Sequence, residues 1–286
     1  MLSISFKSTC LLLLGMVFRK ATLADKPLVD GYLQKYPTGF SKMTFAILYT
    51  WRNAKDFMFD EIDGHLVMRT PDYYFQPVGP DPASVMRKLR GRFLKVSEAV
   101  ARQFSEAEED RDHFDYVYSL EEMRELKGTK FDPKRNFINQ FSKYTPQVCH
   151  LNDYTKEQFQ TLRQEWAQDH LDNESIQRES VAVAEAIHSF KELGLHGICV
   201  RIEGKMVGFA IGEQLTEDTV VEHFEKGNKE YKGVYQFVLN AYAKSITNPK
   251  YIYMNRGQDI GLAGLRKAKL SYHPVQLLKK WKVELS

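Results

Sequence analysis

Asn255, Arg256 and Asp259 stand in a glycine-rich stretch that follows an apolar run at residues 251–254, and Arg266, Lys267 and Lys269 come soon after, at the start of a predicted helix. Guanidinium and ammonium groups at the mouth of a strand-to-helix turn can hold a phosphate or a carboxylate, because backbone N–H groups and side-chain donors converge there. The bland alternative is a solvated basic helix end. A second set lies on two neighbouring predicted strands: Glu213 on one, and Glu222, His223 and Glu225 on the next. Carboxylates and an imidazole are candidate general bases. Strict alternation puts Val221, His223 and Glu225 on one face of the strand, and Glu222 and Phe224 on the other. Each of these residues could equally serve a structural ion pair. A third set, Lys134, Arg135, Asn136 and Asn139, falls on the first turns of a helix expected to begin at Asp132-Pro133. Arg135 and Asn139 share a face there. They suit either a polar clamp between domains or a hydrogen-bond network that holds the domains in register.

The elements that must position these groups are clearest in the second half. Thr155 with Gln158 forms a capping box for a helix to about residue 170, and Ile176, Val183, Ile187 and Phe190 mark a second helix ending before Gly194. Residues 197–202, 206–214 and 219–224 read as three antiparallel strands, with a Glu203-Gly204 turn between the first two. A helix over about 233–244, a strand over 251–254 and the basic helix follow. In the first half, a strand at 17–22 leads to a helix capped by Asp25, and residues 43–53 form a second helix. Three short strands come next, at 57–62, 65–70 and 73–78. A helix at 82–89, a strand at 92–96, a helix at 97–104 and a last strand at 114–118 complete that half. Both halves thus run through two helices, three antiparallel strands, then helix, strand and helix. Between them, Ser119 with Glu122 caps one helix and Asp132-Pro133 starts another.

A chain of 286 residues is comfortable for two cores. The division falls into an extension over residues 1–15, a first domain with its linking helix over 16–145, and a second domain over 146–286 that carries the cleft. An apolar content of 43% with 27% charged residues fits a globular chain. A net charge of +3 does not by itself make a nucleic-acid binder. Cys10, Cys149 and Cys199 form no CxxC pair, and the histidines show no ligand spacing, so a reducing, cytoplasmic setting without a metal site is expected. The apolar run at residues 10–18 is too short to span a bilayer, and no integral membrane span is expected.

The element order of each half is that of the GCN5-related N-acetyltransferase fold, and two copies in one chain resemble the Fem-type aminoacyltransferases. At residue level, the run 114–118, Lys127-Gly128, Lys130, Lys134-Arg135-Asn136, Ile138-Asn139, residues 223–226, Asn255-Arg256, Asp259 and residues 264–274 look like the C-terminal domain of phosphatidylglycerol lysyltransferases. The resemblance implies a mixed α+β fold of two tandem acetyltransferase-like domains, each a mostly antiparallel sheet flanked by helices. It also implies transfer of an aminoacyl group from charged tRNA. Gly264, Leu265, Arg266, Lys269 and Pro274 match the lysyltransferase helix pattern in part, and Glu222-His223-Phe224-Glu225 replaces the Asp-Leu-Met-Arg run of those enzymes.

Three functions follow as expectations. The first is aminoacyl transfer from aminoacyl-tRNA to a small molecule or a lipid headgroup, with Glu213, His223 and Glu225 as catalytic candidates. Donor binding would then fall to Lys226, Lys232, Gly233, Asn255, Arg256, Asp259, Arg266, Lys267 and Lys269. Basic residues at Lys127, Lys130, Lys134, Arg135 and Lys143, and along 266–282, would track the tRNA backbone. The second is an acyl-CoA-dependent N-acyltransferase. Gly233 is in place for a pyrophosphate loop, but Tyr235 stands where a second small residue is needed, leaving Lys226, Lys229 and Lys232 to hold phosphates. The third is a binding module that kept the fold and lost the chemistry.

Overall fold

In the computed structural model, residues 16–168 and 174–286 are described; the expected extension over residues 1–15 lies outside them. Within the described residues thirteen strands form two mixed sheets, each flanked by helices. They are β1 (Met58–Ile62), β2 (His65–Arg69), β3 (Tyr74–Phe75), β4 (Gly91–Val96), β5 (Glu108–Glu109), β6 (Asp115–Ser119) and β7 (Gln147–His150). Then follow β8 (His196–Ile202), β9 (Lys205–Gln214), β10 (Thr219–Gly227), β11 (Tyr253–Asn255), β12 (Gln276–Leu278) and β13 (Trp281–Leu285). The turns that close the hairpins are encoded locally. Asp63-Gly64 and Glu203-Gly204 both carry positive φ at two successive residues, the geometry that matches the twist of paired strands. The Thr155–Gln158 capping box forms in both directions, at 2.8 and 3.3 Å, and Ser119 accepts from the Glu122 N–H at 3.3 Å.

The two sheets exchange strands. The first runs β1-β2-β3-β4-β13-β5 and the second β12-β6-β11-β10-β9-β8-β7. The strand expected to finish the first half, here β6, therefore lies in the second sheet, antiparallel to β11 and β12. In return the C-terminal β13, which carried no clear sequence signal, pairs with β4 and β5. A boundary near residue 145 does not separate the sheets, because each holds a strand from the far side of that boundary. The expected strand at 17–22 is reduced to one bridge between Arg19 and Phe59.

The core is also shared. Phe45, Ile47 and Leu48 of the short buried helix Phe45–Thr50 pack in one cluster with Ala182, Val183 and Ile187 of the helix Glu174–His188 and with Phe209 and Phe224 of the second sheet. Tyr116, Tyr118, Val220, Val238 and Tyr242 form a second cluster across β6, β10 and the helix Val234–Ser245. Burial of this kind contributes about 1.5–3 kcal/mol for each large apolar side chain. The cleft between the halves is thus walled by rigid elements. Among the described residues, no helix is long and apolar enough to cross a membrane.

Candidate active site

A cavity of about 680 Å³ opens where the halves meet. Its second-half wall is made by the ends of β10 and β11 and by the helix Ala263–Leu270. The central group is Arg256, just past β11, held between Glu222 at 2.7 Å from Nε and Glu225 on an NH₂ nitrogen. Alternation along β10 would have sent these two carboxylates to opposite faces. A β-bulge between Glu222 and Phe224 inserts His223 as an extra residue, so Glu222 and Glu225 reach the same guanidinium. Burial and the neighbouring Glu222 push the Glu225 carboxyl up to about 7. Two carboxylates share one buried guanidinium, and a proton on one of them relieves the excess negative charge.

The bulge also sets His223. Its Nε2 lies 2.7 Å from Glu213 Oε1 and 3.5 Å from Thr44 Oγ1, while Nδ1 is buried without a partner. A carboxylate only accepts, so in the neutral imidazole it is the Nε2–H that donates to Glu213 and Nδ1 that has the lone pair. His223 lines the cavity, whereas Glu213 and Thr44 line a separate depression. Glu213 therefore orients the ring rather than meeting a ligand in the cavity.

Lys269 is buried and donates from Nζ to the Arg256 carbonyl at 2.5 Å; burial and the nearby guanidinium lower it to about 8. Lys134 reaches the same rim, bonding Ser271 Oγ at 2.6 Å with its ammonium 4.0 Å from the Tyr272 ring centroid. Lys226 also lines the cavity, paired with Glu179 at 2.5 Å.

Other predicted site residues serve the frame instead. Asn255 is fully buried and spends its amide on Gly39 O and Asp115 Oδ2, and its carbonyl oxygen on Gly257 N–H. Asp115 in turn accepts from Ser41 N–H, Ser41 Oγ–H and the fully buried Lys280 at 2.6–2.8 Å, tying Ser41 to β6 and to the chain just before β13. Asp259 is fully buried and saturated by Arg266, Arg111, Tyr116 and Gly261 N–H, which hold its carboxyl well below the usual range against the cost of burial. It has no lone pair to spare for a substrate amine.

Gly233 has φ +93°, and a Cβ there would lie 2.2 Å from the Phe137 carbonyl oxygen, so close helix packing accounts for the glycine. Lys232, Lys267, Asn136 and Asn139 are exposed, and none lines the cavity. Lys130 pairs with Glu122, and Arg135 with Asp132 and the Leu126 and Gly128 carbonyls. The basic run 266–282 is largely neutralised by carboxylates outside it, Arg266 by nearby Asp259 and four of its cations by distant acids: Arg266 by Asp112, Lys279 by Glu109, Lys280 by Asp115 and Lys282 by Glu108.

The first-half wall of the cavity was missed. Lys42, Trp51, Lys55, Tyr73 and Lys95 line it. In the sequence they look like scattered lysines beside core aromatics, and only the fold joins them to His223 and Arg256. Four buried side-chain atoms lack a hydrogen-bond partner among the described residues: Trp51 Nε1, Glu222 Oε1, His223 Nδ1 and Gln258 Nε2. All four residues line this one cavity. Orphaned buried polar atoms are rare in folded proteins, and the convergence of these four singles out this cavity as the candidate site.

A family model described as the C-terminal part of phosphatidylglycerol lysyltransferase matches residues 34–284. A conserved protein of unknown function from Bacteroides thetaiotaomicron has a similar structure, with TM-score 0.82 and 31% identity over 95% of this chain and 100% of that one. The C-terminal domain of a putative lysylphosphatidylglycerol synthetase from Agrobacterium fabrum shares the fold at TM-score 0.64 and 13% identity, over 93% and 92% of the two chains. An uncharacterized protein of Mycoplasmoides gallisepticum is 24% identical over 176 residues, which make up 59% of this chain and 56% of that relative's length.

Proposed function

The chain belongs to the phosphatidylglycerol lysyltransferase C-terminal family, and we propose that it moves an aminoacyl group from aminoacyl-tRNA onto a nucleophile held in the cavity between its halves. One observation carries the reading: His223 presents an unpartnered Nδ1 to the cavity while Glu213 fixes the other ring nitrogen. That pairing is the geometry of an oriented general base. The acceptor's N–H or O–H gives its proton to Nδ1 as the nucleophile bonds to the ester carbonyl carbon. The tetrahedral adduct then expels the ribose oxygen of the tRNA, which takes the proton back from Nδ1. Lys269 and Arg256 stand on the same wall to offset the developing oxyanion. The free Glu222 Oε1 suits the ammonium of the aminoacyl group. A tRNA donor puts the reaction in the cytoplasm.

Acyl-CoA is the competing donor. The tight packing of Gly233 on Phe137 and the presence of Tyr235 leave little room for a pyrophosphate at that helix start, which favours the ester of a tRNA. The open cavity in turn favours a working site over a remnant binding module.

The test is single-turnover loss of the aminoacyl group from a panel of charged tRNAs, with phospholipid vesicles and small amines as acceptors. His223→Ala should slow transfer by about 10²- to 10⁴-fold with tRNA retention on filters unchanged. Glu213→Gln should lower the rate less and displace its pH profile. Equal rates for wild type and His223→Ala, or no acceptor-dependent loss from any tRNA, would end this reading.

A further inference from the structure

Lys42, Lys55 and Lys95 come from three separate stretches of the first half and line the cavity that His223 faces. None of their ammonium groups makes a hydrogen bond or ion pair with another described residue. Among the described residues their ammonium groups lie against ring faces: Lys42 and Lys55 sit 5.8 and 4.9 Å from the Trp51 ring centroid, and Lys95 sits 4.8 and 4.5 Å from Tyr73 and Phe75. Lys95 is only 4% exposed, so it is not a surface lysine reaching into bulk water. Trp51 is placed by stacking on Phe224, with centroids 6.5 Å apart, and its buried Nε1–H has no acceptor among the described residues.

The backbone delivers Lys95 deliberately. Its φ is +58°, a left-handed value that costs free energy in a lysine, and the register of β4 against β13 shifts at this point. It is the counterpart of the bulge that aims His223 from the other sheet. Burial, with Lys280, Lys42 and Lys55 nearby, lowers Lys95 to about 7, and burial lowers Lys42 to about 8. Crowded, desolvated ammonium groups oppose folding unless a ligand pairs with them. Donors converge on this wall, and among the described residues no carboxylate answers them within ion-pair distance.

We propose that Lys42, Lys55, Lys95 and the Trp51 Nε1–H form an anion site that holds the phosphate or carboxylate of the acceptor, so that its nucleophile lies toward His223. Giving this anion to the acceptor rests on the transfer reading above; the anion site itself does not. The two walls then divide the work. The second half holds the donor ester and the base, and the first half selects acceptors that carry a negative group.

Residue-resolved acylation by a limiting amine-reactive reagent near neutral pH tests the site without any turnover. Lys95 and Lys42 should react ahead of the exposed Lys267, because more of their amine is neutral. Glycerol 3-phosphate, glycine, or vesicles containing phosphatidylglycerol should each be added as a separate probe. Protection of Lys42, Lys55 and Lys95 but not Lys267 is the expected result, and the probe that protects identifies a soluble phosphate, a free carboxylate or a lipid headgroup. Trp51→Phe keeps the ring and deletes the donor, and should raise the concentration needed for protection about tenfold, the worth of one hydrogen bond to a charged group. Lack of protection by all three probes would overturn the proposal. So would protection that is equally effective in Trp51→Phe and Lys95→Met. His223→Ala should be protected like wild type, so a failed transfer assay and a failed anion site are told apart.

Discussion

Replacing Asp115 by Asn should unfold the shared framework more than any change at the cavity surface. Asp115 and Lys280 are both fully buried, 2.6 Å apart, and Ser41 N–H, Ser41 Oγ and Asn255 Nδ2 complete the carboxylate at 2.7, 2.8 and 3.2 Å. Asparagine keeps the shape but leaves the Lys280 ammonium in the interior without a counter-charge, which costs about 3–5 kcal/mol. Lys280→Met leaves a carboxylate that still has three donors, and should cost about 1–3 kcal/mol. The double variant removes both charges and should cost less than the sum of the single losses by more than ~0.5 kcal/mol. Urea denaturation of the four proteins measures each term. The pH dependence gives a second check. The Lys280 ammonium and the Ser41 donors hold the Asp115 carboxyl below its ordinary range despite burial. Its contribution is therefore present above about pH 4 and lost as pH falls through the folded value, and Asp115→Asn should flatten that acid limb. Single-variant losses that simply add, or an Asp115→Asn cost under ~1 kcal/mol, would refute the view that this knot ties the exchanged strands together.

Two further predictions concern the second half. Glu225 has its carboxyl raised to about 7, so the folded protein holds a proton that the unfolded chain has released. Between about pH 4.5 and 7 this term lowers stability as pH rises, with a slope of at most ~1.4 kcal/mol per pH unit, and Glu225→Gln should remove that slope from a series of denaturation curves. Gly233→Ala must place a Cβ 2.2 Å from the Phe137 oxygen at φ +93°, and should cost about 1–3 kcal/mol, read as a lower melting temperature with no separate effect on phosphate binding.

Local signals in the sequence located most elements because local physics makes them. Capping boxes at Ser119 and Thr155, the Asp63-Gly64 and Glu203-Gly204 turns and the Pro82 helix start each depend on a few neighbouring residues. Strand exchange depends on partners far apart in sequence. Nothing within residues 115–119 says that their neighbours will be 253–255 and 276–278, and the order of elements along the chain argues for the sheet next in line. The exchange is held by side chains that look unremarkable alone. Lys280 sits in a run of lysines and Asp115 in a run of aromatics, and only burial of both makes them a pair.

The same distinction explains which site residues were legible. His223, Glu225, Arg256 and Lys269 were visible as candidates because titratable groups crowd β10 and the segment after β11, and the structure brings all four to one cavity. Asn255, Asp259 and Arg266 were visible for the same reason, yet distant acids and donors consume them: a carboxylate saturated by Arg111, Tyr116 and Arg266 cannot also bind substrate. Counting charge within a segment therefore overstates the basic surface, since the acids that cancel it come from residues 108–115. The converse error hid the first-half wall. Lys42, Lys55 and Lys95 show no clustering in sequence, and what distinguishes them is that they meet in one cavity, against aromatic rings, with no hydrogen-bond or ion-pair partner for their ammonium groups among the described residues. Both bulges carry the same lesson: the period-two rule fails at His223, and at Lys95 the ladder register also slips, so each strand turns a titratable side chain toward the cavity.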